Sequence, residues 1–306
     1  TPETVSLWTT TRRRLFKRKS AVAGMIMLGI LILIAIFANV LAPYSPYQVL
    51  IGVEDVKMRQ APCIHLLGCP QDQPQHILGI DGNVRDEFSR LLFGARYSLY
   101  VGFSTVTFAI IIGVTLGALS GYLGGWVDNV IMRIVDVFMT LPFILMALIM
   151  AAVLTPVIGR SLIPATLALI TFGWMGYSRI IRGDILSVKQ RDFVLAAKVS
   201  GVKDSRILFK HILPNAIFPT LVLASLGIGD VVLSFAALSF LGIGTEIGYA
   251  DWGQVLSFAR NWITSLGNYW YIVIWPGLTL VLFVMGWNLV GDALRDVLDP
   301  RMRGKS

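Results

Sequence analysis

The sequence predicts an all-α polytopic membrane protein with six transmembrane helices, and three observations favour this class. The 306 residues are 55% hydrophobic and 14% charged, with a mean hydropathy of +0.71, whereas a soluble domain carries roughly 25% charged residues. Several apolar runs reach the ~20 residues with which a helix crosses a bilayer, and they lack the alternation of barrel strands. Lysine and arginine cluster in alternate connecting segments, as the positive-inside rule expects.

The first predicted span is the apolar run at residues 21–42, which follows a polar segment at residues 1–20. The run is too long for a signal-peptide core and no small-residue cleavage site follows it, so it is expected to be retained. The cations that directly precede it are expected to hold the N-terminus in the cytoplasm. They are Arg12, Arg13, Arg14, Lys17, Arg18 and Lys19.

Residues 43–96 form the longest polar segment and are predicted to be an extracytoplasmic loop. Their prolines indicate irregular structure, and residues 86–93 are predicted to form a helical patch along the membrane surface. Cys63 and Cys69 are too few ligands for a metal site on their own. A short-loop disulfide outside the cell is one interpretation. A metal contact that includes His65, or a free loop, are the others.

Five further spans are predicted within residues 97–292. They are residues 97–123, 137–157, 162–181, 215–241 and 271–292. Pro142 is expected to kink the third span. Gly113, Gly117 and Gly121 recur at every fourth residue of the second span, and such a stripe of small residues permits close packing between helices of one subunit.

The charge distribution supports a topology with both termini inside. Nineteen of the 26 lysines and arginines fall on the inner side, in the N-terminal segment, the inner loops and a tail at residues 293–306. The seven on the outer side are Lys57, Arg59, Arg85, Arg90, Arg96, Arg160 and Arg260. The net charge of +8 is therefore explained by the positive-inside bias, and no nucleic-acid partner is expected.

A polar, basic segment at residues 183–214 separates the fourth and fifth spans and is predicted to form a cytosolic helical hairpin. Phe193, Ala196, Ala197 and Ser200 share one face of its first helix because their spacing follows the helical repeat. A soluble hairpin set between two membrane spans is typical of an element on which another protein docks.

The predicted turn of this hairpin is Gly201, which is expected to adopt the left-handed conformation that ends the first helix. Asp204 or Ser205 is expected to cap the second helix, in which Leu208 shares a face with the isoleucine four residues later. Pro214 is expected to open the fifth span, where a missing N–H costs least.

The hairpin resembles the EAA loop of bacterial ABC importer permeases, through Ala196, Ala197, Gly201, Ile212, Leu213 and Pro214. In that family the loop is the coupling helix and sits in a groove of the ATPase subunit. Leu195 stands where the family usually has glutamate, so the resemblance implies an interface held mainly by apolar packing. The residues expected there are Phe193, Ala196, Ala197 and Leu208, with Lys198, Lys203 and Arg206 at the rim.

The resemblance covers most of residues 76–302 and points to the "C" permease of dipeptide, oligopeptide and nickel importers. Before the second span the similar residues are His76, Leu78-Gly79, Asp81, Arg85-Asp86, Ser89-Arg90-Leu91, Gly94-Ala95-Arg96 and Ser98-Leu99. Later ones include Gly124-Gly125-Trp126-Val127-Asp128, Leu238-Ser239-Phe240-Leu241-Gly242, Trp252-Gly253 and Gly291-Asp292-Ala293-Leu294-Arg295-Asp296, with Asp299-Pro300-Arg301. Val84 and Phe235 depart from the family pattern.

This resemblance implies a type I ABC importer permease fold and half of a pore in the bacterial cytoplasmic (inner) membrane. The implied partners are a homologous B-type permease, two ABC ATPase subunits, an extracytoplasmic substrate-binding protein and the lipid bilayer. ATP and Mg²⁺ are expected on the ATPase subunits, so this chain is expected to hold no cofactor and no catalytic residue. Its terminal Gly-Lys-Ser lacks the earlier glycine and following helix of a phosphate loop.

Asp230 lies midway along the fifth predicted span, and an intramembrane carboxylate is costly enough to indicate a role. One hypothesis places it in the pore, where it meets the amino terminus of a peptide or a metal cation. The other makes it a structural carboxylate that pairs with the partner permease.

Two other classes of function compete with an importer subunit. A stand-alone secondary transporter would show inverted repeats and broken mid-membrane helices, and no clear repeat is present. An intramembrane enzyme would need a catalytic histidine, and no histidine falls in a predicted span. The sequence leaves the substrate open among dipeptides, oligopeptides and nickel or another small solute.

Overall fold

The computed structural model describes residues 15–298 apart from residues 244 and 247, and its regular structure there is helical. The helices are α1 (Lys19–Leu41), α2 (Glu87–Leu123), α3 (Gly125–Met139), α4 (Phe143–Ile158), α5 (Leu162–Val188), α6 (Asp192–Val199), α7 (residues 204–216), α8 (Phe218–Phe240), α9 (Trp252–Ala259) and α10 (Leu266–Leu298). Short 3₁₀ helices lie at His65–Leu67 and Arg260–Ser265. The cations at positions 12–14 and the motifs at residues 299–306 lie outside the described residues.

Four helices of the described chain are long and apolar enough to cross a membrane: α1, α2, α8 and α10. The bent pair of α3 and α4 makes a fifth if it is taken as one broken span. α5 is long enough, at 27 residues, but is not among the helices that meet both criteria. Six spans with both termini inside therefore stay a prediction.

α2 and α5 share the most extensive contact between any two helices in the described part of the chain. The predicted glycine stripe forms this contact. It pairs Gly113 with Trp174, Gly117 with Ser178 and Gly121 with Arg182. A Cβ atom on Gly117 would overlap the carbonyl oxygen of Ser178, so only glycine lets the two backbones approach this closely. Because both sets of numbers rise together, the two helices run parallel.

α10 runs antiparallel to both α1 and α8. The contacts pair Gly24 with Leu289, Leu28 with Gly286, Gly229 with Val284 and Leu226 with Gly291. In each pair the residue numbers of one helix rise while those of the other fall. α2 and α8 complete the central core, where Val232 and Ile228 pack on Gly102.

The helical patch predicted to lie along the membrane surface at residues 86–93 is wrong. These residues are the cap and first turns of α2, which continues for 37 residues without a break. The carboxylate of Asp86 caps the helix, because its Oδ2 accepts a hydrogen bond from the backbone N–H of Ser89 at 2.7 Å. No proline follows that would separate this turn from the apolar part of the helix.

The predicted kinked third span at residues 137–157 is instead two helices, α3 and α4, which meet at 92°. Pro142 is the N-cap of α4 and not an internal kink. Its ring disfavours helical backbone at the preceding residue and it has no N–H to donate, so the chain breaks between Met139 and Phe143. α3 is strongly amphipathic, and Val135 is its buried residue.

Three other helix boundaries differ from the predicted ones. α5 continues to Val188, so the inner loop begins later than residue 183. α8 begins at Phe218 with Pro219 in its first turn, so Pro214 does not open that helix. α10 extends beyond residues 271–292 at both ends and is kinked at Tyr269, where φ is −125°.

The N-terminal ends of α2 and α9 are held by a buried arginine and a buried tryptophan. Arg90 is fully buried and donates hydrogen bonds to the carbonyls of Pro46, Gly248 and Tyr249. The Trp252 Nε1–H donates to the carbonyl of Leu91 at 3.0 Å, and its ring fills the space left by Gly94. These contacts join the outer segment at residues 43–86 to the helices beneath it.

Two acid–base features of this outer region are set by burial. Asp251 caps α9 by accepting from the Gln254 N–H at 3.0 Å, and burial raises the pKa of its carboxyl group against the effect of its hydrogen bonds. Burial, followed by the charge of Arg90, lowers the pKa of Arg85. Cys63 and Cys69 in the same region are joined by a disulfide.

We expect Gly117→Ala to destabilise the chain, because its new methyl group would collide with α5. Overpacking of this kind costs about 1–3 kcal/mol, so the midpoint of thermal unfolding in detergent should fall by several degrees. Gly176→Ala on α5 is the matched control, since no atom lies within 4 Å of the place that its new methyl group would occupy. Equal unfolding midpoints for the two variants would show that the α2–α5 contact is not tightly packed.

Candidate functional site

The first helix of the inner hairpin, α6, is amphipathic over its eight residues. Val194 is its buried residue, and Ala197 is half-buried beside it. Asp192 in the first turn and Lys198 in the last turn have the charges that favour those helix ends. The buried side of α6 is therefore formed by Val194 and Ala197, whereas Phe193 and Ala196 of the predicted face are exposed.

The hairpin turn is a glycine-dependent helix end. Gly201 has φ of +72°, in the left-handed region. Its N–H donates to the carbonyl of Lys198 at 3.1 Å, and the N–H of Val202 donates to the carbonyl of Ala197 at 3.2 Å. This pair of bonds is the Schellman motif, so the predicted role of Gly201 as the residue that ends the helix is confirmed.

The second helix, α7, is not a regular α-helix. It begins with an α-helical turn at Asp204–Arg206, continues as a π-helix at Ile207–Ile212 and returns to α-helix at Leu213–Ala216. The Leu213 N–H donates to the carbonyl of Leu208, five residues earlier. Pro214 explains the change, because its ring clashes with the carbonyl four residues before it and has no N–H to donate.

A hydrophobic cluster holds the hairpin against the C-terminal halves of α2 and α5. Leu208 is 6% exposed and Ile212 is fully buried. The cluster also contains Ala118, Ile181, Ile185, Val188, Val194, Ile207 and Ala216. Leu208 and Ile212 therefore lie on the buried side of α7, which faces α2 and α5, and not on the exposed surface of the hairpin.

Polar contacts at the edge of this cluster join α7 and the C-terminal end of α5 to α2. The Tyr122 hydroxyl donates to Asp204 Oδ1 at 2.5 Å, and Lys189 Nζ donates to the carbonyl of Tyr122 at 2.5 Å. The prediction that Asp204 or Ser205 caps α7 is wrong, since the N-cap is Lys203 and no side chain caps it. Asp204 binds a tyrosine of α2 instead.

Two ion pairs fix α3 against the inner half of α5. Arg182 donates to both carboxylate oxygens of Asp128, each at 2.5 Å. Arg179 pairs with Asp136. The two residues of each pair are more than 40 positions apart along the chain, so no local spacing in the sequence indicates the pairing.

The exposed part of the hairpin, here called the outer patch, combines large apolar side chains, several cations and Asp192. Phe193 is 42% exposed, Leu195 49%, Val199 90% and Phe209 67%. The exposed cations are Arg191, Lys198, Lys203, Arg206 and Lys210. Val199 and Phe209 were missed by sequence reasoning. Val199 lies one helical turn after Leu195, a spacing that indicates the same face.

Leu195 has a second environment in addition to this surface. It lines a cavity of about 390 Å³ at the base of the hairpin, together with Tyr122, Leu186, Lys189, Gln190, Val194, Lys198 and Ile207. Leu195, which replaces the glutamate of the resembled family, therefore lies between the outer patch and the hydrophobic cluster that holds the hairpin.

The other predicted site residue, Asp230, is exposed on α8 and does not point into the core of this chain. One turn earlier, Gly227 lies against the hydroxyl of Tyr177. Asp230 and the hairpin are not brought together, because α8 carries the aspartate away from α7 along its length.

The fold belongs to a known class of membrane transport subunit. Two inward-facing crystal forms of the MetNI methionine ABC transporter match it with a TM-score of 0.56. They are 21% and 22% identical to this chain, cover 69% of it, and are themselves covered over 98% and 97% of their length. This chain therefore shares the fold of a chain of that transporter.

The chain belongs to the family of binding-protein-dependent transport system inner membrane components, whose model matches residues 113–304. The N-terminal TM domain of oligopeptide transport permease C matches residues 6–62. The chain is thus a permease component of an ABC transport system and a multi-pass protein of the bacterial inner membrane.

Curated relatives cover almost the whole chain. The dipeptide transport system permease protein DppC of Alkalihalophilus pseudofirmus is 39% identical over 98% of this chain and 91% of its own length. DppC of Escherichia coli K12 is 42% identical over 94% of this chain and 91% of its own length. The di/tripeptide permease DppC of Pseudomonas aeruginosa is 35% identical over 93% and 89%.

We expect Leu208→Ala to loosen the hairpin, because it removes a buried side chain from the cluster. Such truncations cost about 2–5 kcal/mol, so amide hydrogen exchange across residues 192–212 should accelerate by at least roughly tenfold. Phe209→Ala is the neighbouring control, because that side chain is exposed, and its exchange should match the wild type. The same exchange rates in both variants would contradict the assignment of Leu208 as an anchor.

Proposed function

We propose that this chain is one half of the translocation pore of an ATP-driven importer for dipeptides and short oligopeptides. The exposed patch on a hairpin that is firmly fixed to α2 and α5 is the observation that supports this proposal most strongly. An exposed apolar surface on a hairpin between two membrane-spanning helices is suited to bind a separate protein, which drives transport by moving the hairpin. The peptide substrate follows from relatives that are named as dipeptide and di/tripeptide permeases.

The proposed topology has six spans with both termini in the cytoplasm, and α5 serves as the fourth span. The helix directions support it. α2 and α5 run parallel and α10 runs antiparallel to α1 and α8, as alternating crossings of the membrane require. The excess of cations on the proposed inner side points the same way.

The hairpin is the proposed coupling element to the ATPase. Phe193, Leu195 and Ala196 supply apolar contact, with Lys203 and Arg206 at the rim. Val199 and Phe209 are included in that surface because both side chains are exposed on the hairpin. Leu208, Ile212 and Pro214 act beneath it, by holding the hairpin and setting the shape of α7, and Gly201 sets the turn.

The proposed assembly contains a homologous B-type permease, two ABC ATPase subunits and an extracytoplasmic substrate-binding protein, all set about the lipid bilayer. ATP and Mg²⁺ bind to the ATPase subunits in this proposal, and this chain contributes no catalytic residue. Closure of the ATPases around ATP moves the hairpin, and through the α2–α5 unit it changes which side of the membrane the pore opens to.

Affinity purification of the tagged chain, followed by uptake assays, tests this function. The chain should co-purify with a second permease and an ATPase, and cells that lack it should lose uptake of a labelled dipeptide. Uptake of a longer peptide and of nickel in the same cells separates the substrate classes. Purification of the chain alone would sink the proposal and favour a stand-alone transporter.

Gly201→Val should uncouple ATP hydrolysis from transport. A branched side chain at a φ of +72° costs roughly 1–2 kcal/mol or more and should alter the angle at the hairpin turn. In the purified complex we expect ATPase activity to persist while peptide uptake falls by at least about tenfold. Gly201→Asn is the control, since asparagine tolerates left-handed backbone and nothing lies within 4 Å of this position. Unimpaired transport by the valine variant would mean that the turn does not transmit the movement.

Asp230 is proposed to face the pore, where its carboxylate meets the charged amino terminus of the peptide. Its exposure on α8 and the cost of a carboxylate in lipid support this placement. Asp230→Asn should reduce peptide uptake severely while the complex still assembles. Normal uptake would end the substrate-contact hypothesis, and loss of assembly would favour a structural pairing with the partner permease.

A further inference from the structure

The loop closed by the disulfide projects two leucines from the extracytoplasmic segment. Leu66 is 96% exposed and Leu67 is 81% exposed. They lie in the 3₁₀ helix at His65–Leu67, which ends at Gly68 with a φ of 99°. We call residues 63–69 the leucine knob. The next most exposed large apolar side chain of this segment is Ile51, at 67%. Two adjacent leucines that are exposed more fully than that indicate a contact made with another molecule.

The knob is rigid because its base is closed twice. Cys63 and Cys69 are joined by the disulfide. The backbone of Cys63 then forms two hydrogen bonds with that of His76, at 2.8 and 3.0 Å. The His65 Nε2 lies at hydrogen-bond distance, 2.9 Å, from the carbonyl of Gln73. Two leucines fixed in this way lose little conformational freedom when they are covered.

The base of the knob connects directly to the long helix α2. His76 is fully buried, and its Nδ1 lies 2.8 Å from Asp86 Oδ1. The same Asp86 caps α2 through Ser89. The ring of Tyr44 stacks on His76 at 5.1 Å, and Glu54 lies 3.3 Å from its other nitrogen. A displacement of the knob would therefore be transmitted through His76 and Asp86 to the N-terminal end of α2.

We propose that the leucine knob is a docking site for the extracytoplasmic substrate-binding protein, which seats an apolar pocket over Leu66 and Leu67. This inference rests on the proposed function, since that function supplies the partner. Docking at the knob places the partner on the segment that caps α2. Docking of the peptide-loaded binding protein would thereby affect the pore and the hairpin, because α2 contacts the knob's base at one end and α5 and the hairpin at the other.

The composition of the loop favours a protein over the bilayer as the occupant. Residues 61–76 contain no lysine, arginine, tryptophan or tyrosine, which are the residues that anchor segments at membrane interfaces. The stretch next to the knob, Gln71, Asp72 and Gln73, is exposed and carries a negative charge. An anionic lipid surface would repel that charge, whereas a protein pocket with a polar or basic rim accepts it.

The test uses the complete transporter in lipid nanodiscs, with both permeases and both ATPase subunits. ATPase activity is measured while the peptide-loaded binding protein is titrated. For Leu66→Ser/Leu67→Ser we expect the concentration that gives half-maximal stimulation to rise about tenfold or more, with the basal rate unchanged. Ile51→Ser is the matched control, because Ile51 is 67% exposed on the same segment outside the knob, and its titration should match the wild type.

The outcomes separate this inference from the proposed function. Absence of any stimulation in the wild-type complex would overturn the proposed function itself. Stimulation of the wild type together with an unchanged titration of the double variant would overturn the docking site alone. A photo-crosslinking residue at position 66 should capture the binding protein, and capture of lipid or of the B-type permease instead would also overturn it.

Discussion

The glycine-lined contact between α2 and α5 is the constraint on which the rest of this structure depends. At Gly117 the two backbones lie so close that a single methyl group would overlap a carbonyl oxygen. The inner ends of these two helices form the floor beneath the hairpin, through Ile185 and Tyr122. The N-terminal end of α2 contacts the segment at residues 43–86, which is predicted to be extracytoplasmic, through Asp86 and Arg90. One contact thus joins both sides of the proposed pore.

The bilayer explains why this contact is built from glycine. Lipid tails are as apolar as leucine, so helices in a membrane associate by close packing and by polar bonds more than by hydrophobic burial. The three glycines supply the packing. α5 is also joined to α3, by the ion pairs of Arg182 with Asp128 and of Arg179 with Asp136. The hairpin has α2 on one side and α5 on the other, so it is attached to the helices that it is proposed to move.

The sequence was sufficient wherever a feature is local. Gly201 as the end of a helix, the glycine stripe on α2 and the break at Pro142 depend on a few adjacent residues, and each appears in the structure, although Pro142 separates two helices where a kink was expected. The EAA-like pattern likewise identified the family, because its residues lie within one loop. Helical spacing placed Phe193, Ala196 and Ala197 on one face of α6, of which Phe193 and Ala196 are exposed and Ala197 is half-buried.

What sequence reasoning could not reach depends on contacts between distant residues. Leu208 was assigned to the outer surface because an amphipathic helix leaves open which of its faces is covered, and the cluster on α5 decides this. Asp204 was assigned to a cap because its partner, Tyr122, lies 82 residues away. The π-helix of α7 was missed because the effect of Pro214 falls on the residues before it.

The central claim is that the hairpin moves together with α5 as one body. A distance measurement between spin labels on Val199→Cys in the hairpin and Ile163→Cys at the outer end of α5 tests it most directly. The chain has only two cysteines and they are disulfide-bonded, so the labels go where they are intended. The distance is measured in the assembled transporter, first without nucleotide and then with ATP bound. We expect the same distance in both states, each with a narrow distribution. A shift of roughly 5 Å, about one helical turn, between the two states would contradict the account.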